Sequence, residues 1–156
     1  MGTTIDGTQV QSWLDDELVS EIEQIPDEAA VFNIAIEMSN LVIHVVQRQP
    51  GGPLVVGQQI EYGEEIRSRI EAMADADRNE LVARIRETLT ATSVIYGFHD
   101  RDGANVRFRD VHRVLIEHRI YPAAATQQAL MDGLIDVWKA MRYLDDIVTL
   151  IDSVQA

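Results

Sequence analysis

The feature that most constrains this chain is a long amphipathic stretch near its C-terminal end, residues 130–154. Apolar side chains recur there in alternating steps of four and three residues, at Leu130, Leu134, Val137, Met141, Leu144, Val148 and Ile151. This is the heptad spacing of an α-helix that buries one stripe. Gly133 lies inside the stretch and costs about 1 kcal/mol of helix stability relative to alanine, which indicates close packing against another helix. The sequence therefore predicts a long C-terminal helix around which the rest of the chain packs.

Length and composition set the broad class of the protein. A chain of 156 residues, of which 46% are hydrophobic, suits one domain with a sizeable core. The absence of cysteine excludes disulfides, thiolate metal sites and cysteine nucleophiles. No uninterrupted apolar run is long enough to span a membrane, and residues 1–10 do not read as a signal peptide. We therefore expect a cytoplasmic or otherwise intracellular protein, which includes a place in a virus-encoded assembly.

The charge is strongly one-sided. There are 26 acidic residues against 13 basic ones, for a net charge of −13, and Lys139 is the single lysine. This composition resembles the proteins of salt-in halophiles such as haloarchaea, and codon bias in a high-GC bacterium is the alternative source. Binding along nucleic-acid phosphates needs a basic face, so the charge argues against a nucleic-acid partner.

Along the chain, the apolar spacing favours helices. Residues 1–10 are rich in Gly and Thr and predict a loose N-terminus, followed by a single helical domain over 11–156. Residues 11–25 predict an acidic amphipathic helix, and residues 29–49, apolar nearly all round, predict a central one. Pro50–Pro53 breaks that helix, and two shorter helices are expected over 64–74 and from Asp77 to Thr90.

Residues 92–109 leave two structures open. Asp100–Gly103 is a turn signal between two β-branched and aromatic stretches, so a short β-hairpin near 95–109 is possible. A helix, turn and helix is the interpretation that we prefer in so helical a chain. The sequence as a whole therefore predicts an all-α fold with bundle-like packing of five or six helices.

Residues 107–119, the basic segment, are the one region where basic residues outnumber acids, with Arg107, Arg109, His112, Arg113, His118 and Arg119. Within it, Arg113 and His118 are separated by four residues. This Arg-x4-His spacing, late in a helical chain of this size, resembles the HEPN ribonuclease motif. The resemblance implies a cleft between two subunits in which Arg113 holds phosphate and His118 takes part in proton transfer. The alternative is an amphipathic helix whose basic face meets an acidic neighbour.

The sequence contains no phosphate loop, no nucleophile elbow and no zinc motif. We therefore expect no cofactor and no metal. The leading interpretation is a non-catalytic helical protein that associates with itself or with a larger complex, because its apolar helix surface exceeds what short neighbours can cover. The predicted interface comprises Leu134, Met141, Leu144 and Val148, with Arg107, Arg109 and Arg113 facing acids of a neighbouring subunit. The alternatives are the HEPN-like ribonuclease and an acidic mimic of nucleic acid, the latter because residues 1–30 contain eight acids and no base.

Overall fold

The structure is a computed structural model that describes the backbone of residues 5–154 and the side chains of residues 5–147. Its helices and strands follow in the order α1 (Gly7–Trp13), β1 (Glu21–Gln24), β2 (Phe32–Met38), β3 (Leu41–Gln47), β4 (Leu54–Glu61), α2 (Glu64–Ala72), α3 (Asp75–Thr90), β5 (Ile95–His99), β6 (Arg113–Ile120) and α4 (Gln127–Val154). Two short 3-10 helices, Phe108–Asp110 and Pro122–Ala124, flank β6.

The six strands form one antiparallel sheet in the order β1-β2-β3-β4-β6-β5. The expected all-α, bundle-like packing of five or six helices is therefore wrong, and the fold is mixed α/β. Long apolar runs fit a buried strand as well as a buried helix, and periodicity alone does not separate the two. The C-terminal stretch is helical: α4 begins at Gln127 and none of the described helices is long and apolar enough to cross a membrane.

The largest correction concerns residues 29–49, which are a hairpin of β2 and β3 rather than a central helix. Ser39 and Asn40 both have positive φ, 45° and 68°, and they form the two-residue turn that closes the register of Met38 with Leu41. Such turns match the twist of the strands that they join. The stretch is apolar on all sides because one face of the hairpin is buried and the other is partly covered.

Two further segments differ from the expected helices. The helix expected over 11–25 is replaced by α1, which begins at Gly7 within the predicted loose N-terminus, and by the short strand β1. The preferred helix, turn and helix over 92–109 is also wrong. Ile95–His99 is strand β5, but residues after the turn make only one bridge, from Asn105 to His99, and β5 lies beside β6 instead.

The chain divides into two compact units, residues up to 58 with 117–138 (unit 1), and residues 59–116 with 139 onwards (unit 2). The elements β4, β6 and α4 contribute residues to both units. The expectation of one domain stays a prediction.

In unit 1, alternate side chains of the β2–β3 hairpin form the core together with Val10, Leu130, Leu134 and Val137 of the helices. The indole nitrogen of Trp138 donates to the carbonyl of Met38 at 3.1 Å. At Gly133 a Cβ atom would lie 2.6 Å from Cδ2 of His118. The close packing expected at this glycine is present, but its partner is a residue of strand β6 and not another helix.

In unit 2, the buried guanidinium of Arg78 closes the end of α2. It donates to the carbonyls of Ile70, Glu71 and Met73 at 3.0, 2.8 and 2.8 Å, and it pairs with Asp75 at 2.9 Å. The last carbonyls of a helix lack partners within it, so these bonds supply what α2 itself cannot. The arginine therefore fixes where α2 stops and α3 starts.

Candidate functional site

Two surface depressions, one in each unit, are lined by several charged side chains. The first, the acidic groove of unit 1, has a volume of about 340 Å³ and is lined by Glu21, Ile22, Glu23, Ala35, Glu37 and Val42. Three carboxylates and no basic side chain line it, so the groove suits a cationic partner rather than an anion.

Strand register places the carboxylates of the acidic groove together. Glu21 lies directly opposite Glu37 in the β1–β2 pairing, and Glu23 lies opposite Ala35. Like charges at directly opposed positions of an antiparallel pair destabilise it. No pattern in the sequence indicated this cluster, because Glu21 and Glu37 were expected on two separate helices.

Strand β1 is an edge of the sheet, and all four of its residues are exposed. An edge strand presents backbone N–H and C=O groups without ladder partners, and charged side chains on it discourage indiscriminate pairing. Apolar side chains nevertheless remain exposed around this edge, with exposed fractions of 45% for Leu18, 40% for Ile22 and 40% for Val42. The groove thus combines negative charge with apolar surface.

The second depression, the basic cleft of unit 2, has a volume of about 320 Å³. It is lined by Glu61, Tyr62, Gly63, Glu64, Arg67, Arg101, His112 and Arg113. These residues come from the end of β4, the start of α2, the turn after β5 and the start of β6. A backbone bond from the amide of Tyr62 to the carbonyl of His112, 2.9 Å long, holds two of these segments together.

The cations of the basic cleft are only partly neutralised. Arg113 contacts Glu61 at 3.3 Å and Arg101 contacts Glu64 at 3.4 Å. Arg67 donates from Nε to the carbonyl of Val111 at 3.3 Å and makes no ion pair with the described residues. Three guanidinium groups and two carboxylates line the cleft, which leaves a local positive charge.

Tyr62 is the most unusual polar residue of the cleft. The residue is 7% exposed, and its hydroxyl is the buried side-chain atom for which the described residues provide no hydrogen-bond partner. Burial raises the pKa of this phenol well above its ordinary value, since the charged form would lose hydration.

The residues predicted for the interface separate into two groups. Leu134, Met141 and Leu144 are buried within a single chain, with exposed fractions of 0%, 6% and 0%. Val148 lies beyond the residues whose side chains are described. Contact of these four with a second chain stays a prediction.

The arginines predicted for the interface lie nearer the surface. Both Arg107, the N-cap of the 3-10 helix Phe108–Asp110, and Arg109, within it, are exposed. Neither makes an ion pair within the described part of the chain. Arg113 belongs to the basic cleft.

The Arg113 and His118 pair has a setting different from the one that the HEPN resemblance implies. Both residues lie on strand β6 rather than on a helix. Side chains five positions apart on a strand point to opposite faces of the sheet. The structure therefore does not bring this pair together in one cleft.

Sequence reasoning missed most of the residues of the basic cleft. Of its lining, only Arg113 was predicted as a site residue, while Arg67 and Arg101 are isolated in the sequence. The available signals were the Tyr-Gly step before the helix at Glu64 and the turn at Arg101. Among the described residues, no group of three or more His, Cys, Asp or Glu side chains is arranged to hold a metal ion.

Comparisons with known proteins give the fold and the family. No curated protein matches this chain. The fold is similar to that of an uncharacterized protein from Methanothermobacter thermautotrophicus, solved by crystallography. The TM-score is 0.72 at 18% identity, over 94% of this chain and 96% of that one. The model of the family described as uncharacterized conserved protein (DUF2299) matches residues 6–148, nearly the whole length, and the chain belongs to that family.

Proposed function

We propose that this protein is a non-catalytic interaction module that associates with itself, and that the acidic groove of one copy receives Arg107 and Arg109 of a second copy. The observation that carries the proposal is the set of three glutamates in the groove, two of them directly opposed across the β1–β2 pair. Like-charge opposition costs stability unless a cation lies between the carboxylates. A cationic partner would relieve that repulsion.

Charge complementarity within the chain favours a second copy as the occupant. Arg107 and Arg109 are exposed two residues apart, and neither has a carboxylate partner among the described residues. A guanidinium can bind a carboxylate through two parallel hydrogen bonds. The methylene stem of the arginine can also cover the exposed Val42, which lies on the same face as Glu21 and Glu37.

The geometry of such a contact has a consequence for the assembly. The groove and the arginine pair are different surfaces, so the contact is heterologous, and repeated contacts build a ring or an open chain. Two variants, each of which loses a different half of the contact, can therefore distinguish the heterologous contact from a symmetric dimer.

The experiment measures mass by light scattering after size exclusion, at tens of micromolar protein in 0.1 M and 1 M KCl. Wild type is expected to be larger than one chain. Arg107→Glu with Arg109→Glu, and Glu21→Arg with Glu23→Arg, are each expected to be monomeric. A mixture of the two variants is expected to form a 1:1 dimer and nothing larger, because each retains one half of the contact.

The matched control is Arg84→Glu with Arg86→Glu, which changes the charge equally on the exposed side of α3 and should assemble as wild type does. A monomeric wild type would overturn self-association. Assembly of the variant Arg107→Glu with Arg109→Glu would contradict the proposed contact between the groove and these arginines. Failure of the two variants to form a dimer when mixed would contradict it as well.

A further inference from the structure

We propose that the basic cleft of unit 2 binds a small phosphate-bearing molecule through Arg67, Arg101 and Arg113 at the start of α2. This inference is independent of self-association, because none of these residues belongs to the acidic groove. In a chain with twice as many acids as bases, three arginines and His112 line one depression of about 320 Å³.

The start of α2 adds backbone donors to these side chains. The helix has nine residues, and its N-cap, Gly63, offers no side chain to accept from the first amide groups. Amides of the first helical turn have no partner within the helix, and the helix dipole favours an anion at this end. The arginine cluster and the amides thus point to the same chemical group.

The neighbouring Tyr62 places an unsatisfied polar group in the wall of the same cleft. Its buried hydroxyl has no hydrogen-bond partner among the described residues, although the residue lines the cleft. Buried polar atoms in folded proteins are nearly always satisfied, and an exception marks a group whose partner is absent. A ligand oxygen can accept from this hydroxyl only after the ring moves, because the hydroxyl itself has no accessible surface.

The ion pairs of the cleft are of the kind that a ligand can displace. The contacts of Arg113 with Glu61 and of Arg101 with Glu64 are single and long, at 3.3 and 3.4 Å. The two glutamate side chains are 72% and 84% exposed, so they can swing into water at little cost. Glu61 and Glu64 therefore compete with the anion for the same guanidinium groups.

Size and charge select a small phosphate compound over a nucleic acid. The volume lies at the lower end of the range for small-molecule sites, about 300–1,000 Å³, which accommodates a phosphate with a small organic group. Several guanidinium groups with helix amides fit the oxygens of a phosphate dianion. A long polyanion would instead meet the repulsion of a protein with a net charge of −13.

The test is isothermal titration of the full chain with inorganic phosphate and with glycerol phosphate, at about 0.15 M KCl, where the Debye length is about 8 Å. Saturable binding is expected for both, and tighter binding for the ester. Arg113→Gln and Arg67→Gln are each expected to weaken binding at least tenfold, because each removes charge-assisted hydrogen bonds.

Two further variants make the result specific to the cleft. Glu61→Gln with Glu64→Gln should tighten binding severalfold, which a purely structural role would not produce. Arg84→Gln, an exposed arginine of α3 paired with Glu80, should bind as wild type does. Absence of saturable binding, a loss with Arg84→Gln as large as with Arg113→Gln, or weaker binding after the glutamate changes would overturn the proposal. Circular dichroism of each variant checks that it is folded.

Discussion

The acidic groove and the basic cleft have nearly equal volumes, about 340 and 320 Å³, and opposite charge. The groove is made by side chains of adjacent strands, and its carboxylates face one another without a cation. The cleft is made where strands, a helix and a turn begin or end, and two of its three arginines already contact a carboxylate. The net charge of the chain therefore does not describe its surface. The negative charge of the groove is not compensated, whereas the positive charge of the cleft is partly neutralised by two carboxylates.

The two regions also differ in what holds them. The groove depends on the register of the β1–β2–β3 strands, which backbone hydrogen bonds and the buried face of the hairpin fix. The cleft depends on the position of α2, which Arg78 secures at the opposite end of that helix. A substitution that disturbs the strand register is therefore expected to affect mainly the groove. One that removes Arg78 is expected to affect mainly the cleft.

The largest effect is expected from charges placed in the buried stripe of α4. Leu134→Asp in unit 1 and Leu144→Asp in unit 2 each bury a carboxylate at a site with 0% exposure, at a cost of several kcal/mol. Because α4 contributes to both units, each change should abolish the cooperative unfolding transition seen by circular dichroism in urea. The exposed control Arg142→Asp should retain it. A folded Leu134→Asp variant that still binds phosphate would show that unit 2 does not need the core of unit 1.

A smaller loss is expected from Arg78→Ala, about 2 kcal/mol of unfolding free energy, because two carbonyls of α2 and that of its C-cap Met73 lose a charged donor. Phosphate binding in the basic cleft should weaken with it, while association through the acidic groove should not change. Arg84→Ala, which breaks an exposed pair with Glu80, should cost about 0.3–0.5 kcal/mol. Equal losses in the two variants, measured by urea unfolding, would mean that Arg78 does not fix α2.

Tyr62→Phe is expected to raise stability by about 1 kcal/mol, since it removes a buried hydroxyl that has no partner. The same variant tests a pH effect. The folded state raises the pKa of Tyr62, so above about pH 10 the unfolded phenol loses its proton first and stability falls as pH rises. The variant should therefore lose less stability than wild type between pH 9 and 11 in thermal scans. An identical alkaline decline in both proteins would contradict this.

The smallest expected effect is a gain from Glu37→Gln of about 0.2–1 kcal/mol in low salt, because Glu21 lies directly opposite. In 1 M KCl, where the Debye length is about 3 Å, the gain should largely disappear. Wild type itself should gain thermal stability with KCl, as the interpretation of salt adaptation predicts for a net charge of −13. If the gain in stability from Glu37→Gln is equal at both salt concentrations, charge repulsion is not its cause.

Several local features could be predicted from the sequence because they depend on neighbours along the chain. The heptad spacing identified the helix that becomes α4. Most of α3 was also predicted, but the helix begins at Asp75 with Ala74 as its N-cap, so the start predicted at Asp77 is wrong by two residues. The excess of arginine in residues 107–119 pointed to exposed cations, which Arg107 and Arg109 are. The helix predicted for that segment was wrong, because its apolar residues alternate along strand β6, which pairs with distant parts of the chain.

The net charge, the absence of thiol chemistry and the amphipathic C-terminal helix follow from the sequence, since composition and helical spacing need no distant partner. Three features depend on contacts between distant segments: the hairpin of residues 29–49, the meeting of Glu21 with Glu37, and the cleft that Arg67, Arg101 and Arg113 share. An apolar segment that forms a helix makes its backbone hydrogen bonds within itself. The same segment as a strand must make them with other strands, which can lie far away in the sequence. Which of these forms, and which charges then become neighbours, is fixed only when the whole sheet is assembled.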